Sequence, residues 1–209
     1  MHGAAIALLG LCFSFVGGPV IAIAALGAVP LQPTAEIELD PRMSAGDKEA
    51  PVVLFVYACG RSKVCAALIP TLYREVVGGR LKGKVRLYYR PYFPVEQEEP
   101  AACGRALVAA AEQGMFWPYL LHLYDKQEDF QLCLLRKWAD LEGLDRDAFE
   151  IAYGHARTTE KLAAVRREAV LNKVDTVPCA FINGRKVTVS LTTDVLTELL
   201  KDEFERVSR

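Results

Sequence analysis

From Pro51 to Tyr57 the chain runs Pro-Val-Val-Leu-Phe-Val-Tyr, an unbroken apolar stretch of strand length rich in β-branched residues. No polar face alternates within it. Such a run suits a strand covered on both sides, in the middle of a sheet flanked by helices. The next two segments meet that demand. A helix is predicted from Ser62 to about Val77, stopped by Gly78-Gly79. Lys84-Val85-Arg86-Leu87-Tyr88-Tyr89-Arg90 then reads as a second strand. Strand, helix, strand is a parallel crossover unit.

The middle of the chain is predicted to be helical. Ala101 to Gln113 is alanine-rich and ends at Gly114, and Met115 to Lys126 carries an apolar face of Phe116, Trp117, Leu120, Leu121 and Leu123. Further helices are expected at 130–142, 145–153 and 158–173. Trp117 and Trp138 sit at helical spacing with other apolar residues and read as core, and Glu96 to Glu99 reads as a solvated loop. Asn183-Gly184 is a strong hairpin signal joining Cys179–Ile182 to Lys186–Val189. A last amphipathic helix is predicted from near Thr192 to about Val207. The order is β-α-β, a helical block, then β-β-α, which gives an α/β domain with an inserted helical cap at about 100–173.

Composition bears mainly on the N-terminus. Across 209 residues with a formal net charge of -1, no charged side chain occurs from Ala4 to Leu31. That span is long enough to cross a bilayer, which takes ~20 apolar residues. It reads either as a membrane anchor or as a signal peptide with Ala22-Ile23-Ala24 at the cleavage site. Residues 1–30 are therefore taken as anchor or signal, 31–50 as a proline-containing linker with a short edge strand at Glu36–Leu39, and 51–209 as the folded domain. Roughly 160 residues suffice for one sizeable core. An exported domain meets an oxidising compartment, and its five cysteines beyond Cys12 are an odd number, so at least one thiol is left over or pairs between chains.

Several short segments resemble the DsbA-like thioredoxin-fold family of thiol–disulfide oxidoreductases. Ala50-Pro51-Val52-Val53-Leu54-Phe55 is similar to its opening strand, and Gly114-Met115-Phe116-Trp117 to a segment of its helical insertion. Val174-Asp175-Thr176-Val177-Pro178, with Phe181-Ile182-Asn183-Gly184-Arg185, resembles its cis-proline loop and final hairpin. The resemblance covers roughly residues 46 to 206. It implies a thioredoxin fold with a helical insertion and a Cys-x-x-Cys at the start of the first helix. There the helix N-terminus stabilises the thiolate of the first cysteine, which attacks a substrate disulfide, and the second cysteine resolves the mixed disulfide. The loop containing Val177, Pro178 and Cys179 would hold the substrate chain.

Cys65 stands five residues before Pro70, as the family's second cysteine stands before its helix proline. Counting back three positions reaches Ser62, so the motif here is Ser62-Lys63-Val64-Cys65. A hydroxyl forms no disulfide, and Ser62 reads as a helix N-cap. Cys59, six residues before Cys65, is either the second half of a shifted redox pair, favoured by Arg61 and Lys63, or one of two small buried hydrophobes. Cys179 is a second candidate partner for Cys65 or a packed strand residue. Cys103 and Cys133 either bridge the helical block or are unrelated thiols.

Function classes narrow accordingly. No basic stripe suggests nucleic acid, the three histidines show no metal spacing, and no Gly-rich phosphate loop or Ser-His-Asp arrangement occurs. No cofactor is expected. A Cys-x5-Cys with a distant histidine faintly resembles membrane-tethered copper chaperones, whose cysteine spacing is shorter. Two readings stay open: an extracytoplasmic oxidoreductase acting on exported protein thiols or disulfides through Cys65 and Cys59, or a redox-inactive binding or chaperone module that partners a membrane redox protein.

Overall fold

The computed structural model describes residues 40–94 and 97–209. The expected apolar anchor and the edge strand at Glu36–Leu39 lie outside the described residues. Among the described residues no helix is long and apolar enough to cross a membrane.

Five strands form one sheet: β1 Ser44–Gly46, β2 Val52–Ala58, β3 Val85–Pro91, β4 Cys179–Ile182 and β5 Arg185–Lys186, in spatial order β1-β3-β2-β4-β5. β2 is central. It pairs in parallel with β3 on one side and antiparallel with β4 on the other. Helix α1 (Lys63–Val77) makes the crossover from β2 to β3, burying Cys65, Leu68, Ile69, Leu72 and Val76 along one stripe. That stripe shares a core with Val52, Leu54 and Val56 of β2 and Leu87 and Tyr89 of β3. The alternate residues face the other way, where Tyr57 packs with Tyr92, Val165, Ala169 and Phe181. A two-residue period thus serves two cores with one strand.

Between β3 and β4 lies the helical block: α2 Glu98–Glu112, α3 Phe116–Asp125, α4 Leu134–Leu141, α5 Arg146–Gly154 and α6 Ala156–Leu171. α7 (Thr193–Val207) closes the chain, capped by the Thr192 hydroxyl, which accepts from Val195 N–H at 3.3 Å. The outcome is the mixed α/β thioredoxin-like fold with a helical insertion that the sequence implies. The small residues Ala102, Cys103, Ala106 and Ala109 of α2 are all fully buried, so this helix approaches its neighbours closely.

Three segments differ from expectation. First, the domain begins before residue 51: within the expected linker, β1 pairs with β3, and Trp117 Nε1 donates to Ser44 O at 2.7 Å. A three-residue strand carries no readable alternation. What betrays it is Gly46, whose φ is +92° and whose absent Cβ would stand 2.4 Å from Val85 O. Second, Glu98 and Glu99 are not loop residues but form the first turn of α2, where their charge complements the helix dipole. Third, β5 stops at Lys186 instead of running to Val189; one further bond, Val187 N–H to Ala180 O at 2.9 Å, ends the ladder.

The hairpin turn is as expected, with Asn183 at φ +45° and Gly184 at φ +79°. Asn183 also anchors it. Its N–H donates to Val53 O at 2.8 Å and its Oδ1 accepts from Val53 N–H at 2.8 Å. Its Nδ2 donates at 2.8 Å to Glu203 of α7, a buried carboxylate that also pairs with Arg185 and Arg206.

Candidate functional site

At the end of β2 the chain turns through Cys59-Gly60-Arg61 into α1. Ser62 caps the helix: its hydroxyl accepts from Cys65 N–H at 3.3 Å, and its own N–H donates to Cys59 O at 3.1 Å. The serine thus works as the N-cap its position predicts.

Cys59 lies where the turn exposes backbone donors. Its Sγ accepts from Arg61 N–H at 3.4 Å. The residue lines a groove of about 330 Å³ together with Arg61, Ser62, Phe93, Pro94 and Val177. Burial pushes the Cys59 thiol above its ordinary value of 9.0, against the opposing pull of the Arg61 and Ser62 N–H groups and the Arg61 guanidinium. Cys65, in the first turn of α1, has no exposed surface. Burial pushes the Cys65 thiol up to about 11, opposed by the Ser62 hydroxyl and the Cys59 N–H and reinforced by the Cys59 sulfur. The structure therefore brings the two cysteines together, as thiols and not as a disulfide.

The two cations expected to favour a thiolate are engaged elsewhere. The Arg61 guanidinium donates to Glu99 at 3.1 Å and to Gln127 O at 3.0 Å, and it stacks over Phe130 at 4.0 Å. Lys63 pairs with Glu128 at 2.9 Å on the surface. Burial prevails because these carboxylates offset the positive charge.

The remaining cysteines separate. Cys179 packs on the opposite face of the sheet beside Tyr57 and Phe181, so it is the packed strand residue of the two sequence readings. Burial raises its thiol, with Lys186 opposing and Asp175 adding. Cys103 is buried on α2, whereas Cys133 is exposed ahead of α4, and both are free thiols. Cys103 instead adjoins the Cys59 turn: a Cβ on Gly60 would stand 3.2 Å from Cys103 Cβ. Burial and then the neighbouring Cys59 push the Cys103 thiol well above its ordinary range.

Two tyrosines complete this pocket. Tyr124 OH donates to Cys59 O at 3.3 Å and lies 3.0 Å from Tyr89 OH, while Gln127 Nε2 donates to Gly60 O at 3.2 Å. Burial raises both phenols, and the Cys59 and Cys65 thiols add to it. Nothing in the spacing of Cys103, Tyr124 or Gln127 announces their part. The small residue after Cys59 is the one sequence hint of a close approach.

The Val177–Pro178 peptide is cis. The expected substrate loop divides between two clefts. Val177 lines the Cys59 groove, whereas Pro178 and Cys179 line a neighbouring cleft of about 490 Å³ with Val64 and Thr188. Among the described residues, no group of three or more His, Cys, Asp or Glu side chains could hold a metal ion. His122 Nδ1 is 2.6 Å from Glu142, and His155 caps α6.

A family model described as thioredoxin matches residues 38–202. Among curated proteins, the Na(+)/H(+) antiporter NhaA 3 of Salinispora tropica is 30% identical over 143 residues, covering 68% of this chain. The match spans only 21% of that antiporter, so the chain corresponds to about a fifth of it. Among solved structures, BdbD from Bacillus subtilis in its oxidised form superposes with a TM-score of 0.71 at 14% identity, covering 86% of this chain and 99% of that one. A thioredoxin-like oxidoreductase from Silicibacter pomeroyi superposes at 0.64 with 18% identity, covering 78% and 91%.

Proposed function

This chain belongs to the thioredoxin family, and on that premise we propose that it is a thiol–disulfide oxidoreductase working outside the cytoplasm with Cys59 as its attacking thiol and Cys65 as its resolving thiol. The observation that carries the reading is the Cys59 sulfur, hydrogen-bonded to Arg61 N–H in the wall of an open groove, with the buried Cys65 linked to the same turn through Ser62. The Cys59 thiolate attacks one sulfur of a polypeptide disulfide and releases the other as a thiolate. The Cys65 thiolate then attacks the Cys59 sulfur, freeing the substrate and leaving a Cys59–Cys65 disulfide. Run backwards, the same steps oxidise a substrate dithiol. Val177 and the cis Pro178 loop border the approach to Cys59 and would carry the substrate backbone.

The uncharged span from Ala4 to Leu31 supports an exported, membrane-associated setting, as does likeness to part of a membrane antiporter. Exported protein thiols or disulfides are then the substrates, and a membrane redox protein is the fitting partner.

A second reading has its own observation. Cys65 is wholly buried with its thiol pushed up to about 11, and Ser62 is committed to capping. That arrangement also serves a redox-silent domain that uses the groove to bind polypeptides. Reduction of insulin disulfides by the full chain separates the two. Turnover that falls at least tenfold in Cys59→Ala supports exchange chemistry. Background rates in wild type and Cys59→Ala alike leave the binding module standing.

A further inference from the structure

We propose that Cys103 is a third exchange thiol, a buried alternative to Cys65 for resolving a mixed disulfide on Cys59. The inference rests on the reading of Cys59 as the attacking thiol. It goes beyond that reading by placing a second acceptor on a different element, helix α2.

The geometry converges on the turn. Gly60, next to Cys59, has no Cβ, and one built there would stand 3.2 Å from Cys103 Cβ and 3.3 Å from Leu123 Cδ2. Any larger side chain would hold α2 away. The turn is also fixed from the α3 side. Tyr124 OH donates to Cys59 O at 3.3 Å, and Gln127 Nε2 donates to Gly60 O at 3.2 Å. The Cys59–Gly60 turn is thus held between α2 and α3 at the start of α1, with Cys65 on one helix and Cys103 on another. A cysteine bridge needs Cα atoms within about 7 Å; the glycine contact sets α2 against the residue next to Cys59, and the proposed bridge requires that approach.

Cys103 is fully buried, so no external disulfide reaches it. Its proposed route to a substrate disulfide runs through Cys59. The step balances as an exchange. A substrate disulfide R–S–S–R′ is attacked by the Cys59 thiolate, which forms Cys59–S–S–R and releases R′S⁻. Cys103 then attacks the Cys59 sulfur, its proton passes to the departing RS⁻, and a Cys59–Cys103 disulfide remains. The disulfide substrate is the oxidant, gaining two electrons as the two protein thiols lose them. With Cys65 as a competing acceptor, oxidation can be stored in either of two internal bonds.

The test is oxidation of the full chain by oxidised glutathione, followed by non-reducing peptide mapping by mass spectrometry. Wild type, Cys65→Ala, Cys103→Ala and the double variant are compared after their melting curves show native folding. The expected results are a Cys59–Cys103 linked peptide in wild type at a tenth or more of the Cys59–Cys65 product, its dominance in Cys65→Ala, and glutathione retained on Cys59 in the double variant. The proposal is overturned if no Cys59–Cys103 link appears in wild type or Cys65→Ala while Cys59 still carries glutathione or bonds to Cys65. In that case the Cys59 reading survives. If wild-type Cys59 is neither glutathionylated nor bridged, that underlying reading fails and this inference with it. Should Cys65→Ala not fold, the wild-type map decides alone.

Discussion

The two faces of the sheet bury opposite kinds of polarity from adjacent residues. On β3, Tyr89 points into the core beneath α1, which it shares with Tyr124 and Cys65. Its neighbour Arg90 forms a buried ion pair with Glu168 of α6, and Tyr57 of β2 donates to the same carboxylate. Asn172 Nδ2 donates to Tyr57 OH at 3.2 Å. One cluster consists of soft, neutral, weakly hydrogen-bonding groups, and the other of full charges locked together. The two clusters differ in how readily their bonding can change. A charged network loses much when one member is removed, which fixes it. A cluster of thiols is nearly as cheap to alter as a cluster of small apolar groups, so its bonding can change while the fold stays.

The largest effect is expected on the charged side. Glu168→Ala takes the carboxylate from a buried guanidinium and leaves the Tyr57 hydroxyl without its acceptor, an effect of about 3–5 kcal/mol. A fall in melting temperature of roughly 10 °C is expected in a domain of this size. Cys103→Ala, on the other face, is expected to cost about 1 kcal/mol. Equal losses in the two variants, read by thermal melting, would remove the contrast.

Alkaline pH probes the thiol side. A thiol whose pKa is higher when folded adds stability below its unfolded value, and that stability disappears as pH rises through the folded value. Cys65 rises from 9.0 to about 11, and Cys59, Cys103, Tyr89 and Tyr124 all shift in the same direction. Stability is therefore expected to hold up to pH 9 and to fall between pH 9 and 11, by roughly 2 kcal/mol from Cys65 alone. Iodoacetamide labelling of Cys59 should likewise keep accelerating beyond pH 9. A labelling plateau near pH 7 would mean that the Arg61 N–H and guanidinium outweigh burial.

Much of this architecture is legible from residues alone, and the reasons are local. The Pro51–Tyr57 run, the stripe along α1 and the Asn183-Gly184 turn each encode their structure within a few neighbouring positions. Ser62 could be read as a cap because capping also depends on a single residue and its next turn. β1 could not, since three residues at an edge have no period of their own. The thiol cluster was half legible. Cys59 and Cys65 are close in sequence, but Cys103 arrives from a helix whose placement depends on how the whole insertion packs. For the same reason Cys103 reads equally well as a partner of Cys133 until the helices are placed.

On the thiol side, the missing sulfur can be restored. Ser62→Cys puts a thiol on the helix N-terminus, where the macrodipole and free N–H groups lower its pKa. Insulin reduction at pH 7 is expected to rise about tenfold or more over wild type, with stability reduced by about 1 kcal/mol as the hydroxyl cap is lost. An unchanged rate would show that the groove, and not the absent thiol, limits exchange.

The most specific expected effect falls at the turn itself. Gly60→Ala places a methyl group 3.2 Å from Cys103 Cβ and 3.3 Å from Leu123 Cδ2, closer than either is ordinarily approached. Local adjustment of α2 should hold the stability cost to about 1 kcal/mol. The redox consequence is directional. Moving α2 away from the turn separates Cys103 from Cys59 but leaves Cys65, carried on α1, where it was. Under oxidised glutathione, the proportion of Cys59–Cys103 link in the peptide map should therefore fall relative to Cys59–Cys65. If the two links decline together, the glycine governs access to Cys59 itself, and the close approach of α2 has no separate role in choosing its partner.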